Sequence, residues 1–120
     1  MSRVLVVEDE ATLALLATLT LEDEGYDVVV AANGQKGLAA IAEHQPDMVV
    51  ADFMMPVMDG IEMLRRLRDK GGVVPVLMTS ALAEKQIPGH GDGLYQAYLH
   101  KPYHERELAR LVGELLNGAG

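Results

Sequence analysis

The chain has 120 residues, 49% hydrophobic and 23% charged, the size and mix of one compact globular domain; two domains would not fit. Cysteine is absent, which excludes disulfides, thiolate zinc sites and thiol catalysis, leaves a hydrophobic core to carry the fold, and suits a reducing, cytoplasmic home. Eighteen acids against ten bases give a formal net charge of -8, with one Phe, four Tyr and no Trp; this opposes a nucleic-acid surface and points to cations or basic partners.

The first strand is read at Val4–Val7, and Glu8-Asp9-Glu10 follows it. Ala11–Leu21 is the longest uncharged apolar stretch, far short of the ~20 residues a membrane span needs, and belongs to a helix over Ala11–Glu24 that stops at Gly25. Val28–Ala31 is the second strand, and Gln35–His44 is a helix that ends before Pro46. Met48–Ala51 is the third strand, and Ile61–Lys70 is a helix closed by Gly71-Gly72. Val74–Met78 is the fourth strand. A fourth helix should come next, but Pro88, Gly89, Gly91 and Gly93 fall within it, so only a short turn over Leu82–Ile87 is expected and the segment should be short or mobile. Gln96–His100 is the fifth strand. The closing helix, Glu105–Leu116, carries Leu108, Leu111, Val112, Leu115 and Leu116 on one stripe, and residues 117–120 read as a tail. Short apolar strands without strict alternation, separated by helices, predict an open parallel α/β sheet covered on both faces.

Ligands of such sheets bind beyond the carboxyl ends of the strands, and the polar residues of this chain gather there. Glu8 and Asp9 end the first strand, Asp52 ends the third, Ser80 ends the fourth, and Lys101 follows the fifth. Crowded carboxylates repel one another unless a cation joins them, and oxygen ligands without His or Cys favour Mg²⁺ over zinc. Lys101 can pair with one carboxylate and later with a phosphoryl oxygen, to which Ser80 can also donate.

Five ordered segments carry a resemblance: Val6-Val7-Glu8-Asp9-Glu10, Ala32-Asn33-Gly34, PDMVVADFMMPVMDG over residues 46–60, PVLMTSA over 75–81, and YLHKPY over 98–103. At these spacings the chain resembles the receiver domains of two-component response regulators, over essentially its whole length. The resemblance implies a flavodoxin-like (βα)5 fold with strand order 2-1-3-4-5 and a single receiver domain over 1–120. It implies that Asp52 is the phosphoacceptor, taking its phosphoryl group from a histidine of a sensor kinase or a histidine phosphotransfer protein. Asp9 and Asp52 would bind Mg²⁺ directly with the backbone carbonyl of Met54, and Glu8 would reach it through water. Lys101 would pair with Asp52 and then the phosphoryl group, and Lys101-Pro102 would be a cis peptide. Ser80 and Tyr98 would be the switch pair, changing the face made by the fourth helix, fifth strand and fifth helix, where a downstream protein target binds. Thr79 is the rival hydroxyl, but alternation turns it to the opposite side from Ser80.

Plainer roles are expected elsewhere. Asp59 before Gly60 should form a turn and cap a helix, Tyr103 should serve packing, and the four His residues should be surface or capping residues. Met54 and Leu82, two positions beyond Asp52 and Ser80, cannot orient a hydrolytic water, so the acyl phosphate should be long-lived. In the first helix Leu13, Leu16 and Ala17 can face the sheet, which leaves Leu15 and Leu19 pointing outward as a docking patch for the phosphodonor. Two other functions fit less well. A Mg²⁺-dependent hydrolase would need a cap or further acids, and an FMN binder would need a hydroxyl- and glycine-rich loop where Glu8-Asp9-Glu10 repels phosphate. An interaction module that is never phosphorylated would not need the full acid and lysine set. All 120 residues are used by the five-unit pattern, which leaves no room for an output domain that binds DNA.

Overall fold

A computed structural model describes residues 1–118. Ten elements follow in order: β1 (Arg3–Val7), α1 (Ala11–Asp23), β2 (Asp27–Ala31), α2 (Gly34–His44), β3 (Met48–Asp52), α3 (Gly60–Asp69), β4 (Val76–Ser80), a single 3-10 turn η1 (Glu84–Gln86), β5 (Ala97–His100) and α4 (Glu105–Leu116). The five strands are all parallel and run β2-β1-β3-β4-β5 across the sheet, the order the resemblance implies. Residues 119–120 of the expected tail lie outside the described residues, while Asn117 caps α4. No helix of the described residues is long and apolar enough to cross a membrane.

Strand alternation divides the apolar residues into two cores. Val4, Val6, Met48, Val50 and Leu77 point to the face covered by α1 and α4, where Ala17, Leu21, Leu108 and Val112 meet them. Leu5, Val7, Val49, Ala51, Val76 and Met78 point to the other face, covered by Ile61, Met63, Leu64 and Leu67 of α3. Ile87 and Leu94 are buried in this second core. The expected fourth helix is therefore one 3-10 turn and a run of turns, with Gly89, Gly91 and Gly93 at positive φ and two apolar side chains filling the space that a helix face would cover.

Two expectations change. β4 begins at Val76 rather than Val74, because Pro75 precedes the strand and offers only its carbonyl, to Val49; it ends at Ser80 as expected, with Thr79 paired to Asp52 and Ser80 to His100 in the ladder. Leu16 does not face the sheet: it is 55% exposed, beside Leu15 at 57% and Leu19 at 50%. The buried stripe of α1 is Ala14, Ala17 and Leu21, spaced three and four apart, so all three leucines fall on the opposite side at ~100° per residue.

The turn from β3 into α3 sets the position of Asp52. Asp59 caps α3, its Oδ1 accepting from the Glu62 N–H at 2.8 Å, as expected for this residue. The Gly60 N–H donates to the Phe53 carbonyl at 2.8 Å, and a Cβ on Gly60 would stand 2.5 Å from the Asp52 carbonyl oxygen. Replacing Gly60 by Ala should therefore displace the end of β3 and cost about 1–3 kcal/mol, read as a lower urea midpoint; unchanged stability would show that the turn has room for a methyl group.

Candidate functional site

The strand order brings the carboxyl ends of β1, β3, β4 and β5 side by side. Glu8 leaves β1 with its N–H bonded to Ala31, and its side chain is buried. Asp52 is the last residue of β3 and only 6% exposed. Asp9 is exposed at the rim. One carboxylate oxygen from each of these three residues lies within 4.8 Å of the others. Lys101 follows β5, its N–H donating to the Ser80 carbonyl at 2.8 Å, and its peptide bond to Pro102 is cis, as expected.

Lys101 Nζ lies 2.7 Å from Glu8 Oε1 and 3.2 Å from Asp52 Oδ1, so the lysine bridges two acids rather than pairing with Asp52 alone. The second oxygen of Glu8 accepts from the Glu10 N–H at 3.2 Å. Burial works against the Lys101 ammonium, but the Glu8 hydrogen bond and the Asp52 charge outweigh it and hold its pKa above the ordinary lysine value. Burial pushes the Asp52 carboxyl up to about 6; the Lys101 ammonium opposes this shift, and the Glu8 and Asp9 charges add to it. Two of the three clustered acids thus share one ammonium, and the third stands at the solvent edge. The donor atoms are all hard carboxylate oxygens, a set that suits Mg²⁺ rather than a metal preferring nitrogen or sulfur. Asp9 and Met54 both line a shallow depression of about 440 Å³ at this rim, where the Met54 side chain is 61% exposed.

The two rival hydroxyls separate as alternation requires. Thr79 shares a small internal void with Asp52, Glu8 and Tyr103 on the α1 and α4 side. Ser80 is buried, and its Oγ accepts from the Leu82 N–H at 3.0 Å. Tyr98 is half-buried, and its hydroxyl donates to the carbonyl of the same Leu82. Burial pushes the Tyr98 phenol up, while a hydrogen bond with Ser80 pulls the other way, so the two members of the expected switch pair lie together. Leu82 packs its side chain against the core, so neither it nor Met54 offers a polar group above Asp52. His104 caps α4, its Nδ1 accepting from the Arg106 N–H at 3.0 Å.

Leu15 and Leu19 are exposed as expected, and Leu16 joins them. Leu16, Leu13 and Thr20 line one wall of a groove of about 530 Å³ whose other wall is Lys101, Pro102 and Tyr103 at the start of α4. Helical periodicity does not place Leu16 here, because α1 carries leucines all round. No sequence pattern marks Tyr95 and Glu84, which are joined by a hydrogen bond of 2.9 Å across a loop of ten intervening residues.

The Asp52 carboxylate has its pKa raised by folding, so above about pH 6 its charge costs stability, and that cost is relieved as pH falls from 6 towards the ordinary 3.8. In buffer with a metal chelator, Asp52→Asn should melt higher than the parent at pH 7.5, by roughly 5 °C or more, and the gap should close by pH 4. A gap independent of pH in calorimetric melts would contradict this origin.

Residues 4–113 match the family model of the response regulator receiver domain. The DNA-binding dual master transcriptional regulator RpaA of Synechocystis is 38% identical over 120 residues, covering 97% of this chain and 49% of that protein. The chain spans about half the length of the curated relatives it matches. Among solved structures, the Francisella response regulator 1452 receiver domain is similar at a TM-score of 0.91 and 34% identity, over 100% of both chains. The response regulator TrrA of Thermotoga maritima, solved in complex with Mg²⁺ and BeF, is similar at a TM-score of 0.87 and 28% identity, over 96% of this chain and 99% of that one. With the strand order, the three clustered acids and the bridging lysine already in place, these matches mean that the chain belongs to the receiver domains of two-component response regulators.

Proposed function

We propose that this domain is a cytoplasmic phosphoacceptor switch in which Asp52 takes a phosphoryl group from a histidine of a sensor histidine kinase or histidine phosphotransfer protein. The observation that carries this reading is the buried Asp52 carboxylate, clustered with Glu8 and Asp9 and held 3.2 Å from the Lys101 ammonium. An Asp52 oxygen attacks phosphorus as the P–N bond of the phosphohistidine breaks, and the imidazole nitrogen leaves with that electron pair. Phosphoryl transfer depends on alignment and on positive charge at the phosphoryl oxygens. Asp9, Asp52 and the Met54 carbonyl would hold Mg²⁺, with Glu8 reaching it through water; when bound, the ion supplies part of that positive charge. Lys101 supplies the rest, exchanging its contact with Asp52 for one with the transferred group while keeping Glu8.

Ser80 donates its hydroxyl to the phosphoryl group and Tyr98 responds through Leu82, so the charge change at Asp52 becomes a packing change. The output is the face made by residues 81–96, β5 and α4, offered to a downstream protein rather than to nucleic acid. The domain assists its own phosphorylation and dephosphorylation without turning over a separate substrate. Because Met54 and Leu82 offer no polar group to a hydrolytic water, the acyl phosphate is long-lived.

Incubation with acetyl phosphate and Mg²⁺ should add one phosphoryl group by intact mass, and Asp52→Ala should add none. A turnover product without an adduct would favour a hydrolase, tight flavin uptake an FMN binder, and no reaction an inert interaction module.

The donor docks on α1. Leu15, Leu16 and Leu19 form an apolar patch continuous with the groove that ends at Lys101, so a helix lying there brings its histidine beside Asp52. Leu15→Asp should slow transfer from the phosphorylated partner about tenfold or more, the loss expected for a central apolar contact, and leave labelling by acetyl phosphate unchanged. Equal loss of both would identify Leu15 as a residue the fold itself needs.

A further inference from the structure

The backbone between Ser80 and Ala97 is held internally by single turns: Gln86, Ile87, His90 and Asp92 each donate to the carbonyl three residues back. Gly89, Gly91 and Gly93 adopt positive φ, which a continuing helix does not allow. Side chains must therefore fix where this segment lies. Ile87 and Leu94 fix its far part by burial. Its near part begins at Leu82, whose N–H donates to Ser80 Oγ, and is held by Gln86, whose Oε1 accepts from the Ala83 N–H at 3.0 Å, and by two tyrosines, one just before β5 and one within it.

Tyr98 donates to the Leu82 carbonyl, and Tyr95 donates to Glu84 Oε2 at 2.9 Å. The two rings lie 6.3 Å apart at 44°, so they share one packed unit. Burial and the Glu84 carboxylate raise the Tyr95 phenol far above its ordinary pKa, which keeps its hydroxyl a donor. Leu82 sits at the centre of this arrangement: its carbonyl receives Tyr98, and its N–H donates to Ser80 Oγ at 3.0 Å. A serine hydroxyl whose oxygen already accepts one hydrogen bond has a fixed lone pair, and its O–H turns to the remaining directions.

From this geometry we infer that Tyr95 and Glu84 are positioning residues for the phosphorylated state: their hydrogen bond holds residues 82–84 in place, so that the Leu82 N–H aims the Ser80 hydroxyl at a phosphoryl oxygen on Asp52. The inference rests on Asp52 being the phosphoacceptor. The tie runs from an exposed carboxylate to a half-buried phenol, so it can be broken without emptying the core. It acts on Ser80 through Leu82 and does not touch Glu8, Asp9 or Asp52.

The test measures Mg²⁺ affinity alone and then beryllofluoride affinity at saturating Mg²⁺, for the parent, Tyr95→Phe, Glu84→Ala and the double variant. Losing one partly exposed hydrogen bond should weaken beryllofluoride binding about three- to tenfold in each single variant. The double variant should match the singles, because both substitutions remove the same bond, and Mg²⁺ affinity should stay within about twofold, since a bare ion needs the acids but not Ser80. Unchanged or tighter beryllofluoride binding would overturn the inference. So would an equal fall in Mg²⁺ affinity, which would mean general loosening, or losses that multiply in the double variant. Should Tyr95→Phe fail to fold, Glu84→Ala, which removes the acceptor at an exposed position, carries the test. If the parent binds Mg²⁺ but takes up no beryllofluoride, the phosphoacceptor reading fails and this inference falls with it; if the parent takes it up and the variants match it, only the positioning role is lost.

Discussion

The site depends on the single ammonium of Lys101, placed between two buried carboxylates. Glu8 stands just past the end of β1 and Asp52 ends the neighbouring β3, and their charges face each other at a depth where water offers little screening. Lys101 lowers that repulsion by contacting both, and this explains why its own pKa rises despite burial. The balance is incomplete, because Asp9 adds a third charge at the rim and Asp52 remains a weakened acid. A site so arranged carries an excess of negative charge that a further cation would offset.

The parallel sheet makes that arrangement possible. Its five strands end on one side, and the order β2-β1-β3-β4-β5 sets Glu8, Asp52, Ser80 and Lys101 next to one another although up to 93 residues separate them. The two cores beneath are each built from alternate residues of the same strands, so any residue that shifts a strand end shifts the site. Gly60 is such a residue, since its lack of a side chain lets the turn into α3 close over the Asp52 carbonyl. The loop over residues 81–96 shows the opposite strategy, giving up helical hydrogen bonds and relying on Ile87, Leu94, Tyr95 and Tyr98 for its position.

Local chemistry made much of this legible in the sequence. Short Val-rich runs mark buried parallel strands, glycine and proline mark the helix ends, and a segment with Pro88 and three glycines cannot sustain a helix. The acids and the lysine stand out because each lies at or just past the end of a strand. Three details were hidden for physical reasons. β4 starts only at Val76 because Pro75, inside the apolar run, has no N–H to give to the ladder. Leu16 lies outside because α1 carries leucines all round, so periodicity does not fix its rotation; the helix buries Ala14, Ala17 and Leu21 instead. The Tyr95–Glu84 contact has no helical or strand spacing to betray it, because a turn of irregular backbone brings the pair together.

By itself the sequence determined the element types, their number and order, the single parallel sheet and the residues that meet at its carboxyl edge, because strand and helix patterns and turn residues are local properties. The ordered motifs also fixed the family. Tertiary structure alone decided which acids share Lys101, which face α1 turns to the sheet, and how Tyr95 and Tyr98 reach Glu84 and the Leu82 carbonyl beside Ser80. Those are distances between side chains far apart in the chain, set by packing and burial, and no local spacing encodes them.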